Sequence, residues 1–86
     1  MEMEIGKVTH YFGHLDVAVL SLVGELKVGD TIHILGHSTD FTQIVGSMEI
    51  EHKKVQSVKS GDDVALKIAE PVRVHDTVYK VIPGDI

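Results

Sequence analysis

Cysteine is absent from this 86-residue chain, which excludes disulfides, thiolate-held zinc, iron–sulfur clusters and a thiol nucleophile. Tryptophan is absent too, and the aromatic residues are Tyr11, Phe12, Phe41 and Tyr79 alone. No apolar run approaches the roughly 18 residues a membrane helix needs. The N-terminus, Met1-Glu2-Met3-Glu4, is acidic where a secretory signal is basic and then apolar. A cytoplasmic protein without a membrane partner is expected on those grounds. Bases are in short supply, 8 against 13 acids, for a net charge of −5. Indiscriminate nucleic-acid binding relies on surplus Lys and Arg displacing counterions, and this balance opposes it. The deficit is uneven: residues 1–43 hold two bases and six acids, residues 44–86 six bases and seven acids. A polyanion contact is therefore local, and the second half is the place for it.

Helical periodicity is scarce, with helix formers dense only over the short stretch Met48 to Lys54. Strand patterns fill the rest. Extended runs are expected over Ile5–Phe12, Leu15–Val23, Thr31–Leu35, Phe41–Glu51, Val64–Ile68 and Thr77–Ile82. The second run is apolar on both faces, with Ala18, Leu20 and Leu22 on one side and Val17, Val19 and Ser21 on the other. The fourth is long enough to need a bend, for which Gly46 is the candidate bulge. Gly13, Gly24, Gly29, Gly36 and Gly61 fall between the runs, and Gly29-Asp30 and Gly61-Asp62 each precede an alternating strand. Six strands with regular turn signals, in one domain spanning residues 1–86, predict a closed β-barrel that leaves no unpaired edge. The core is expected over about residues 5–82, with Pro83 to Ile86 a frayed tail.

Motifs for chemistry are missing. No Gly-rich loop ends in Lys and Ser or Thr, so nucleotide hydrolysis is not expected, and no Gly-x-Ser-x-Gly elbow is present. The pairs His10/His14 and His33/His37 have a spacing that would suit a metal on a helix, but a glycine interrupts each. His10, His14 and Asp16 could gather across a tight hairpin, a reading that ranks behind polar turn and strand-face histidines. Glu49 and Glu51 share a strand face, where a solvated surface is the simpler reading than an acid–base pair. The densest basic feature is His52-Lys53-Lys54, followed by Lys59, either an exposed turn or a phosphate contact. Tyr11-Phe12 could stack on bases or pack as a lid on the core. No enzyme activity, metal or cofactor is expected.

Two segments together resemble the β-barrel that follows the GTPase domain in translational GTPases such as elongation factor Tu. One is Gly24-Glu25-Leu26-Lys27-Val28-Gly29-Asp30-Thr31-Ile32-His33-Ile34-Leu35-Gly36, similar to that family's Val-Gly-Asp turn and the strand after it. The other is Met48-Glu49-Ile50-Glu51-His52-Lys53-Lys54-Val55 with Val58-Lys59-Ser60-Gly61-Asp62-Asp63-Val64-Ala65-Leu66, similar to its bent strand, basic turn and Gly-Asp strand. The resemblance covers about residues 5–82 and extends to short proteins of this type and to barrels appended to collagenase-like peptidases. It implies a six-stranded closed Greek-key barrel. It also implies that Glu49 matches a carboxylate of a terminal-adenosine pocket, able to accept from a ribose 2′-hydroxyl. Departures are present: a Gly-rich second strand is here Val17-Ala18-Val19-Leu20-Ser21, an apolar position is Lys67, and an Arg-Gly before the last strand is His75-Asp76. The GTPase domain has no counterpart in these residues.

Two functions follow as expectations. The first is a non-enzymatic module that contacts RNA or a ribosome-associated partner in translation through Glu49, His52, Lys53, Lys54 and Lys59. The alternative is a protein-interaction or self-association module docking to a separate enzyme, motivated by the apolar outer face of the second strand.

Overall fold

A computed structural model describes residues 1–84 of the chain. Its strands are β1 (Glu2–Phe12), β2 (Val17–Leu22), β3 (Leu26–Lys27), β4 (Thr31–Leu35), β5 (Asp40–Ile44), β6 (Met48–Ile50), β7 (Lys53–Val55), β8 (Ser57–Val58), β9 (Asp63–Lys67) and β10 (Thr77–Val81). Every pairing is antiparallel. Eight strands form one sheet in the order β5-β4-β10-β1-β2-β9-β6-β7, while β3 and β8 make a separate ribbon.

The expected closed six-stranded barrel is corrected here. Among the described residues the ladder is open, with β5 and β7 at its two ends. Other bonds draw the β5 margin towards its neighbours. The Gln43 side chain donates to the Lys67 carbonyl at 2.9 Å and accepts from the Ala69 N–H at 2.7 Å. Val45 exchanges backbone bonds with the segment before β4, donating to Asp30 and accepting from Gly29. A side-chain amide thus makes a join that a closed barrel would make with backbone.

Curvature originates in β1 rather than at Gly46. Ile5 is an extra residue against β10, and Thr9 an extra residue against β2, so this long strand carries a bulge towards each neighbour. The first bulge lets Ile5 and Val8 both face inward despite their odd spacing. A Cβ on Gly6 would collide with the Ser21 carbonyl, so the close approach of β2 requires glycine there. Gly46 lies in the exposed link between β5 and β6 and is no bulge. The alternation expected for β2, β4 and β9 holds: Ala18, Leu20, Leu22, Ile32, Ile34, Val64 and Leu66 are buried in the core. Val45 and Val72 from the connecting segments and Met48 from β6 complete it.

Three core strands are each entered through the same turn. In Lys27–Asp30, Lys59–Asp62 and Arg73–Asp76 the first N–H donates to the Asp carboxylate at 3.0, 2.9 and 2.9 Å. The Asp N–H returns a bond to the first carbonyl in each case. The third residue is left-handed, with φ of 96° at Gly29, 94° at Gly61 and 80° at His75. His75-Asp76 therefore does for β10 what the Gly-Asp pairs do for β4 and β9. Pro83 and Gly84 are exposed and outside any strand, and the rest of the expected tail lies beyond the described residues.

Candidate interaction surface

The stretch from Met48 to Val55 is a hairpin, not a helix. Glu51 and His52 have φ of 51° and 66°, the two consecutive positive values of a type I′ turn. Met48 and Ile50 face the core, which leaves Glu49 on the outer face of β6. Its cross-strand neighbours are Lys54 on β7 and Ala65 on β9. Lys53 pairs with Ile50 on the other face of the hairpin, and Lys59 lies in the turn before β9. Glu49 and Lys54 border a depression of about 310 Å³ that also involves Lys67. Lys59 borders a different one, about 310 Å³, with Lys27 and Lys80 beside Glu25, Asp30 and Asp62. The five residues expected to share one face are thus split: Glu49, His52 and Lys54 come together, while Lys53 and Lys59 point elsewhere.

A larger groove of about 470 Å³ opens beside Glu49, floored by Phe12, Leu15, Val17, Val19 and Ala65. Its rim carries Glu49, Glu51, His52 and Asp63. The β1–β2 turn builds one wall: the Leu15 N–H bonds the Phe12 carbonyl at 3.0 Å, and Lys67 Nζ donates to the Leu15 carbonyl at 3.0 Å. His10 stacks parallel to Phe12 with ring centres 6.2 Å apart. These contacts hold two apolar side chains out in solvent, Phe12 at 47% exposure and Leu15 at 60%. The alternation expected over Leu15–Val23 signals Leu15, Val17 and Val19 in the sequence, although Leu15 lies in the turn before β2; Asp63 carries no such signal. His10, in stacking on Phe12 with Thr9 Oγ1 3.3 Å from its Nδ1, does not join His14 and Asp16 in a cluster. No group of three or more His, Asp or Glu placed to hold a metal occurs among the described residues.

A second charged assembly was not expected. His33, outward on β4, has Nδ1 2.9 Å from Glu2 and Nε2 2.6 Å from Asp40. Both ring nitrogens face carboxylates that can only accept, so the doubly protonated ring is favoured. Hydrogen bonding to Glu2, then to Asp40, raises its pKa above the usual histidine value. Outward alternation places His33 beside the start of β5, but Glu2 reaches it from across β10.

No family model matches the chain. It is 40% identical over 79 residues to an uncharacterized protease of Methanocaldococcus jannaschii, a match covering 91% of this chain but only 19% of that protein. The crystal structure of the C-terminal domain of a candidate U32 peptidase from Geobacillus thermoleovorans superposes with a TM-score of 0.86. That match covers 91% of each chain at 18% identity. The selenomethionine variant of the same domain gives 0.83, also at 18% identity, over 87% of this chain and 95% of that one. These likenesses fall on the peptidase-appended side of the resemblance carried by the turn and strand motifs.

Proposed function

We propose, starting from a fold that is that of a U32 peptidase C-terminal domain, that this chain is a non-catalytic docking module for the body of such a peptidase. The observation that carries the reading is the apolar outer face at exposed Phe12 and Leu15 and half-buried Val17 and Val19, which no other element covers among the described residues. Buried apolar area is the main source of affinity between protein surfaces, and an uncovered patch of this kind marks an interface. The similarity to about a fifth of a protease's length supports a partner of that class. Cytoplasmic placement and the absence of any cofactor belong to the same proposal. The test mixes this chain with the M. jannaschii protease deprived of its matching segment and follows the mixture by size exclusion with light scattering. A stoichiometric complex, lost in Leu15→Ser, is expected; separate elution of the two components overturns the reading.

A second reading, contact with RNA or a ribonucleoprotein, rests on the facing pair Glu49 and Lys54. Half-buried Glu49 would accept from a ribose hydroxyl while Lys54 beside it reaches a phosphate. Fluorescence anisotropy with single-stranded RNA decides it. Binding should weaken with salt and in Lys53→Ala with Lys54→Ala; salt-independent binding eliminates it.

A further inference from the structure

We infer that the groove beside β2 accepts an apolar side chain flanked by Lys or Arg. The inference rests on the docking reading and adds the chemistry of the docked segment. The floor is apolar, but three carboxylates stand at its edge: Glu49 half-buried on β6, Glu51 at the hairpin tip and Asp63 at the start of β9. None of the three is in an ion pair among the described residues, where the ion pairs are those of His33. Covering this groove with a purely apolar surface would strip water from the carboxylates and leave them uncompensated. An acidic segment would add like-charge repulsion, which costs an interface dearly.

A flanking Lys or Arg instead answers the rim while its aliphatic stem extends over the floor. Phe12 offers a ring face to a guanidinium, braced from behind by His10. A volume of about 470 Å³ lies within the range of sites that take one compact group. The placement of the acids is also local. Lys54 and Lys67 line the adjoining depression beyond Glu49, so the negative rim ends there and gives the docked segment a direction.

Two labelled peptides serve as probes, one alternating Lys with Leu and Phe, the other carrying Glu at each Lys position. Anisotropy should show the cationic peptide binding at least about tenfold more tightly. Glu51→Lys with Asp63→Lys should reverse that preference, whereas Glu4→Lys with Glu70→Lys, an equal change in net charge away from the groove, should leave it in place. Equal affinity for both peptides, or a preference that follows net charge whatever the site, overturns the inference. If Leu15→Ser still abolishes the complex with the peptidase body, the docking reading survives that failure. If Leu15→Ser leaves the complex intact, the docking reading itself falls.

Discussion

The outward surface of the sheet has two contrasting regions. Around His33 on β4 the charges are answered from within: His33 is held between Glu2 and Asp40, with the Tyr79 ring 6.1 Å away and exposed Leu35 and Ile44 to either side. Over β2 and β9 it is apolar, with Val17, Val19 and Ala65 beneath a rim of carboxylates that make no ion pair among the described residues. The two surfaces belong to one continuous sheet and arise from the same alternation of side chains. What separates them is completeness. The first meets its own electrostatic needs, and the second has needs that only another molecule can meet.

The inner face of β2 sets the scale for testing that contrast. Leu20→Ala, at a fully buried position, should cost about 2–5 kcal/mol in urea unfolding. Its outward neighbour Val19→Thr should cost less than about 1 kcal/mol. A comparable loss at both positions would mean that the outer face is structural rather than free. Next in size is the turn feeding β10, the strand beneath His33. His75→Gly relieves a left-handed histidine where the equivalent turns have glycine, and should stabilise the fold by up to about 1 kcal/mol. No gain in the melting curve would show that the His75 side chain compensates for its backbone.

The His33 assembly should contribute less than about 1 kcal/mol, as exposed ion pairs do. Because its folded pKa is raised, that contribution is full below the unfolded value of about 6.5 and fades as pH rises through the folded value. Wild type should therefore exceed His33→Gln in stability by most at about pH 5–6, and by least in alkaline buffer. A constant difference would break the assignment. Smallest of all is Leu15→Ser, which should change stability by under about 0.5 kcal/mol while abolishing groove binding.

Local patterns in the sequence were enough to place most core strands. Ile32 and Ile34, or Val64 and Leu66, fall inward because a strand has a period of two, and the Gly-Asp pairs mark two of the three turns. The third turn was hidden because histidine, not glycine, occupies the left-handed position. The open ladder was illegible for a different reason: the join depends on Gln43 reaching Lys67 and Ala69, a contact between residues far apart in sequence. Glu49, Lys54 and Lys59 were expected on one face, as a bent strand and a basic turn; the β6–β7 hairpin and the separate strand β8 set Lys59 beside another depression. The acid-rimmed groove draws on β1, β2, β6 and β9 together, and no single segment announces it.

An unsealed sheet has a further consequence. At the β7 margin the ladder ends in a strand edge on which a second molecule could template itself, the first step towards a fibre. Two consecutive lysines, Lys53 and Lys54, stand on that margin as electrostatic sentries. Replacing both should shorten the lifetime of concentrated solutions, seen as growing light scatter, well before it alters the melting temperature.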